Sequence, residues 1–450
     1  MPLIIRLKLR LFPVLTLLGL LPTLSVPAAE PAQDDFTSRD PVEFTVRGGL
    51  PNFFRKLEDG QTVVIAYLGG SITAQAGWRV QSQAWFQAQY PQARVEGVHA
   101  AIGGTGSELG VFRMQADALD HQPDLLFVEF AVNDAKEDPE NIVKAMEGIV
   151  RKTWAQFPRT DICFVYTVTS RDSQQLAAGA MKQSTCVMEA VADYYAIPSV
   201  HMGLKVAQME AAGRLVMSGS APMTQVSGDV FNEAASLATD EQGRIVFSKD
   251  GTHPYPETGH VLYTEALVRA MEQMRDKTAD VPHAMPAPMR EDNWEAANQF
   301  PIPESYLSGP YRNLTAEGDS LANEYAKRVQ PLYRLEPGAQ MHFRFKGTKA
   351  AIFDVIGPDG GLVEVTVDGQ SHEVKRIDGY CAYRRLSLMD VCDNLDDGVH
   401  EVTIRVLDNP FDKASILYTR GSQDIKEHPE KYAPQLWYPG AILIVGELLP

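Results

Sequence analysis

Val63-Val64-Ile65-Ala66-Tyr67-Leu68-Gly69-Gly70-Ser71-Ile72-Thr73 decides the fold. Its first six residues are near-continuously apolar, as a strand buried on both faces must be. Gly69 and Gly70 then permit a tight turn and close backbone approach, leaving the Ser71 hydroxyl and amide at the start of a helix. Working outward, Val95–Ala100, Leu125–Ala131, Ile162–Val168 and Ser199–Met202 read as further buried strands. Helical periodicity fills the gaps, roughly over Trp78–Tyr90, Leu109–Leu119, Gln174–Tyr195 and Glu257–Met274. The clearest helix follows Asp138 as N-cap and Pro139 at its first position, with Ile142, Met146, Ile149, Val150, Trp154 and Phe157 on one face. Strand and helix alternating over residues 60–275 predict a three-layer α/β/α domain around a parallel sheet.

The rhythm breaks twice. Residues 214–249 carry Ser, Gly, Thr and Asp with little periodicity and read as a long loop. Residues 276–303 carry five prolines and no sustained pattern, and read as a linker. Beyond it the period becomes two. Val363, Val365 and Val367 run into the hairpin signal Asp368-Gly369, Val402, Ile404 and Val406 alternate after Asp397-Gly398, and Phe343/Phe345 and Ile442/Ile444 add short strands. Residues 304–450 are expected to form an all-β sandwich or jelly roll.

At the other end, Arg6, Lys8 and Arg10 precede an apolar run from Leu11 to Val26 and a small-residue site at Ala28 or Ala29. This is the pattern of a signal peptide over 1–28, followed by an N-terminal segment over 29–59. The expected location is secreted or periplasmic, with no stable membrane insertion after cleavage. That compartment permits disulfides, and among the four cysteines a 381–392 bridge between neighbouring β segments is expected, while Cys163 in its apolar run suits a buried free thiol equally. In the 450-residue chain Lys plus Arg number 41 against 58 Asp plus Glu, a net charge of −17, which makes nucleic acid and anionic membranes poor partners. The 44% apolar and 22% charged residues are those of a globular chain.

Ligands of open α/β sheets bind beyond the carboxyl ends of the strands, so the residues there carry the chemistry. Ser71 follows the first strand, although alone it reads as well as a helix cap. Ile102-Gly103-Gly104-Thr105-Gly106 follows the second and offers bare amides to an anion; Val132-Asn133-Asp134 follows the third and offers a side-chain amide. Asp250-Gly251-Thr252-His253 precedes the last helix, and a carboxylate three residues before an imidazole can hold its tautomer while the other ring nitrogen takes a proton from serine. Glu129 shares a strand face with Asn133 and reads as a buried structural carboxylate; Trp78 reads as core, and His99 stays undecided. Gly104-x-Gly106-x-x-x-Gly110 is one residue too long for a dinucleotide fingerprint, and there is no Walker loop, HExxH or Cys/His zinc spacing, so no cofactor and no metal is expected.

These four blocks resemble those of the SGNH, or GDSL-type, serine hydrolases, over roughly residues 60–275. The resemblance implies a flavodoxin-like fold, Ser71 as nucleophile, His253 as general base and then acid, Asp250 as its orienting partner, and the amides of Ser71 and Gly104 with the Asn133 side chain as oxyanion hole. Gly70 stands where the family usually has Asp, Ala131 where it often has Gly, and His99 where it often has Asn. The function expected is a serine esterase removing O-acyl, most often O-acetyl, groups from an acylated carbohydrate or other small ester. The alternatives are a lipase or thioesterase for longer acyl chains, or a silent carbohydrate-binding protein. The β part is expected either to bind sugar or to buttress the catalytic domain, with Tyr380, Tyr383 and Trp437 as candidate sugar-facing or core aromatics.

Overall fold

The computed structural model of the protein describes residue 36 and residues 38–219 and 239–450. The signal-peptide reading and the middle of the 214–249 stretch lie outside them. Among the described residues no helix is long and apolar enough to cross a membrane.

The α/β part is built on β1 (Phe44–Thr45), β2 (Thr62–Gly69), β3 (Arg94–Ala101), β4 (Leu125–Glu129), β5 (Asp161–Tyr166) and β6 (Ser199–His201). Their order is β1-β6-β5-β4-β2-β3, parallel except for the edge strand β1. The chain thus reverses direction across the sheet at β2, between β3 and β4, which makes the ends of β2 and β4 the switch point where such sheets hold their ligands. Every side chain of β4 and β5 is buried, which explains the unbroken apolar runs.

Helices cover both faces. α1 (Pro51–Glu58), α2 (Ser71–Ala74) and α3 (Trp78–Gln89) come first, with α1 and α3 contributing Phe53, Phe54, Trp78 and Phe86 to the core of one face. α4 (Ser107–Asp117) and α5 (Pro139–Gln156) cover the other, and Asp138 caps α5 by accepting from the Glu140 amide. The single helix expected over 174–195 is two, α6 (Ser170–Ala177) and α7 (Gln183–Tyr194), because the chain turns at Gly179, whose φ of +91° ends a helix. α8 (Leu204–Ala211) and α9 (Gly259–Met274) complete the layers. The expected 214–249 loop holds two short parallel strands, β7 (Leu215–Ser218) and β8 (Ile245–Ser248), on either side of its undescribed middle.

The 276–303 stretch packs along the α/β part. The Val281 amide donates to Asn52 Oδ1 at 2.9 Å, and Trp294 is buried between Phe112 and the Lys349 ammonium. β9 (Ala297–Pro301) then enters the second sheet, followed by β10 (Leu307–Ser308), β11 (Tyr311–Asn313), β12 (Tyr333–Leu335), β13 (Gln340–Ile356), β14 (Leu362–Val367), β15 (Gln370–Lys375), β16 (Arg385–Cys392), β17 (Gly398–Leu407) and β18 (Tyr438–Leu449). The main sheet is antiparallel, in the order β15-β14-β17-β13-β18-β9, with β10 and β16 also paired to β13. The first half of β13 pairs with β17 and the second with β16, and the register shifts between them, so the sheet fits the expected β-sandwich.

Alternation decides what each face does. Ile352, Ile442 and Ile444 join Phe343, Val363, Val365, Val402 and Ile404 inside the β part. The intervening Ala351, Phe353, Leu443 and Val445 belong to the same apolar cluster as Phe112, Met146 and Ile149 of α4 and α5. One core therefore runs from the parallel sheet, through two helices, into the β part. The expected 381–392 disulfide is absent: Cys381 is buried in a small cluster with Ile356, Ile377, Leu417 and Tyr432, Cys392 ends β16 opposite Ala350, and all four cysteines are free.

Trp294→Ala should cost ~3–5 kcal/mol of unfolding free energy by opening a cavity in this shared core. Urea unfolding checks it, and a loss under about 1 kcal/mol would contradict the burial assigned to Trp294.

Candidate active site

Ser71 leaves the end of β2 as the first residue of α2. Gly103 follows β3, and a methyl group on it would already touch the Ser71 Cβ at 3.6 Å. Gly104 has a φ of +74°, open to glycine at little cost, which turns the loop after β3 toward the cleft. Asn133 follows β4, and its side-chain amide lies so close to Gly70 that a methyl group there would stand 2.0 Å from Asn133 Oδ1. Gly70 thus presents no side chain against Asn133.

The fourth block arrives from the far end of the domain. His253 Nε2 lies 2.9 Å from Ser71 Oγ, and His253 Nδ1 lies 2.8 Å from Asp250 Oδ2. Asp250 Oδ1 accepts the amides of Thr252 and His253 at 2.9 and 2.8 Å, so the carboxylate closes its own turn. Partial burial raises the Asp250 carboxyl, but the His253 ring and these two amides outweigh it and hold it below its ordinary value. An ionised Asp250 fixes the ring with Nδ1–H toward itself and Nε2 free to accept the Ser71 proton. The turn is fastened in three places: the Ser170 amide donates to Gly251 O, the Gly251 amide to Ser248 Oγ, and Ser248 Oγ to Met217 O, each at 2.7 Å.

The five residues singled out by sequence thus converge, and all but Asp250 line one cleft of about 580 Å³. Its opposite wall comes from the β part: Tyr325, Tyr380, Tyr383, Arg384, Arg385 and Leu386. Tyr380 and Tyr383 are 58% and 48% exposed, whereas Trp437 is core and donates to Asp354. Arg384 forks onto Asp359, and Arg385 pairs with Asp378 while its Nη1 lies over Gly104. Among the described residues no group of three His, Cys, Asp or Glu side chains is disposed to hold a metal ion.

Nearby residues separate cleanly. Glu129 is buried beneath the site, accepting from Thr73 and Thr167 at 2.9 and 2.7 Å, a structural role as expected. Trp78 packs against Tyr67 and Phe127. His99 is exposed with its ring against Ala74 O and is absent from the cleft lining. His260 is fully buried, and burial pushes its pKa down to about 3; its Nδ1 accepts the Trp78 amide, so the ring is neutral and structural. Sequence reading missed Asp134, whose carboxylate accepts the Ser107 amide at 3.0 Å and so ties the loop of Asn133 to the loop of Gly104. Its place directly after Asn133 was the available signal.

Ser71, His253 and Asp250 thus form one hydrogen-bonded chain at the mouth of the cleft. Residues 67–220 match the sequence model of the GDSL-like lipase/acylhydrolase family. That match spans the first three blocks, from Ser71 to Asn133, bears out the resemblance over those residues and marks the chain as a carboxylic-ester hydrolase; Asp250 and His253 lie beyond it. Among solved structures, a two-domain esterase active on acetylated mannans, co-crystallised with mannopentaose, superposes with a TM-score of 0.65 at 18% identity, covering 89% of this chain and 96% of that one. At this identity the likeness is one of fold, and it extends through both parts. An acetylxylan esterase from Geobacillus stearothermophilus aligns over 46% of this chain and 94% of its own at 13% identity, TM-score 0.32. No curated protein matches.

Burial raises the Asp134 carboxyl to about 7, against the Ser107 donors that favour its ionised form. The folded value lies above the ordinary ~3.9 of an exposed aspartate, so the folded state holds the proton more tightly and stability falls as pH rises from about 4 to about 7. Asp134→Asn has no such proton, and its thermal midpoint should fall less over that window than the parent's; superimposable pH profiles would contradict the assignment.

Proposed function

We propose that the protein is a secreted or periplasmic esterase that removes O-acetyl groups from a carbohydrate through an acyl-enzyme at Ser71. The observation that carries this reading is the unbroken hydrogen-bond chain Ser71–His253–Asp250, opening into a cleft walled by exposed tyrosines. Ser71 Oγ bonds to the acetyl carbonyl carbon as its proton passes to His253 Nε2, and the carbonyl electron pair moves onto oxygen. The amides of Ser71 and Gly104 and the Asn133 side chain receive that charge, one such donor being worth about 3 kcal/mol in the transition state. Collapse expels the sugar hydroxyl, which takes its proton from His253, and water repeats the sequence to release acetate and free Ser71.

Sugar is favoured over lipid by the wall facing Ser71. Tyrosine rings offer flat apolar faces to the C–H side of a pyranose and hydroxyls to its edge, and two arginines beside them bring donors where a long acyl chain would need an apolar channel. The N-terminal basic and apolar run supports export. Acetylated mannan is the first polymer to try, since the two-part esterase of shared fold acts on it.

Acetate release from a panel of acetylated glycans, set beside nitrophenyl esters of increasing chain length, tests the reading. The protein should release acetate from at least one glycan and prefer acetyl to longer esters, and Ser71→Ala should abolish both activities with its thermal midpoint nearly unchanged. Preference for long acyl chains, or full activity without the Ser71 hydroxyl, would contradict it.

A further inference from the structure

Arg328 reaches from the β part to the floor of the catalytic loops. It follows helix Ser320–Tyr325 and is anchored there: its amide donates to Tyr325 O at 2.8 Å, and its carbonyl accepts Gln299 Nε2 of β9 at 3.1 Å. Its guanidinium crosses to the other part. Nη1 lies 2.6 Å from Asp117 Oδ1, and Nη2 donates to the carbonyls of His99 and Ala101 at 3.0 and 3.4 Å. The second oxygen of Asp117 holds Arg113 Nη1 at 2.6 Å, and Arg113 in turn donates to Ala100 O and, at 3.1 Å, to Gly69 O. Two guanidinium groups thus converge on one buried carboxylate and hold carbonyls at the ends of both β2 and β3.

Those strand ends lead directly into the site. Gly69 stands two residues before Ser71, and Ala101 three before Gly104. We infer that Arg328 is a positioning residue for the esterase reaction, through which the docked β part sets the spacing between the Ser71 turn and the Gly104 turn. The inference rests on the esterase reading above. Without Arg328, Asp117 keeps only Arg113, where the side chains of the two are 5% and 1% exposed, and the carbonyls of Ala101 and of the exposed His99 lose their shared donor. Unpaired groups at such depth are relieved by movement of the backbone that bears them. Because Tyr325 lines the cleft, the same anchor also fixes one wall against the nucleophile.

The test uses the full chain with Arg328→Gln, which keeps the stem and some hydrogen bonding but loses the charged fork, and Arg328→Lys, which keeps the charge alone. Steady-state hydrolysis of 4-nitrophenyl acetate and the rate of inactivation by an active-serine phosphonate are measured well below the thermal midpoint of each variant. The Gln variant should lose about tenfold in kcat and in inactivation rate with KM within about twofold, since displacements under 1 Å carry penalties of this order, and the Lys variant should fall between it and the parent. A folded Gln variant with parental kcat and only a lower midpoint would overturn the proposal, leaving Arg328 a docking contact. Should the Gln variant fail to fold, the Lys variant decides on the same readout, parental kcat overturning the proposal and reduced kcat supporting it. A parent chain that neither hydrolyses the ester nor reacts with the phosphonate would bring down the esterase reading itself.

Discussion

The apolar face that β13 and β18 turn toward α4 and α5 is the contact on which the rest of the structure depends. Phe353, Leu443 and Val445 meet Phe112, Met146 and Ile149 in one continuous cluster, with Trp294 at its edge. A helix in a three-layer α/β/α fold normally presents its outer face to water, yet α5 buries even Lys144, Glu147 and Lys152. Lys152 Nζ finds its partners in Val111 O and in Ala297 O of β9, so a strand of the second sheet supplies one of the two acceptors of this buried ammonium. Uncovered, this face would be a large exposed apolar patch.

Docking there has a consequence some distance away. It brings Tyr325, Tyr380, Tyr383 and Arg385 across from Ser71 and delivers Arg328 beneath the strand ends that lead to Ser71 and Gly104. The cleft is therefore formed jointly: the parallel sheet supplies Ser71, Gly104 and Asn133 at its switch point, and the β part supplies the facing wall. The buttress and the sugar-facing readings of the β part are compatible, since the face of β13 and β18 that packs is separate from the residues near β16 that line the cleft.

The parallel sheet and the convergence of Ser71, Gly104, Asn133, Asp250 and His253 were legible because both are written locally. A strand buried on two faces is an unbroken apolar run, and each block of the proposed site sits within a few residues of one strand end or turn. Asp250 and His253 meet within a single turn, so even a group distant in sequence announced itself. What escaped depends on contacts across more than 200 residues, such as Arg328 with Asp117 or Gly104 with Arg385. The proline-bearing 276–303 stretch misled for a related reason: Trp294 and β9 are ordered by what they pack against, and no periodicity records that. The expected 381–392 bridge failed because pairing by nearness in sequence ignores direction. Cys381 turns into its own small cluster while Cys392 lies at the far end of β16.

The central claim, that the α/β part depends on the β part for its core and its working site, is tested most directly by a chain ending at Asp276, compared with the full chain for cooperative unfolding and for hydrolysis of 4-nitrophenyl acetate. The shared core predicts that the shortened chain aggregates or, if kept in solution, loses most of its activity even on this small ester, which needs no sugar contact. A monomeric, cooperatively folded truncation that turns over the ester at the full chain's rate would contradict the claim and make the β part a separable appendage.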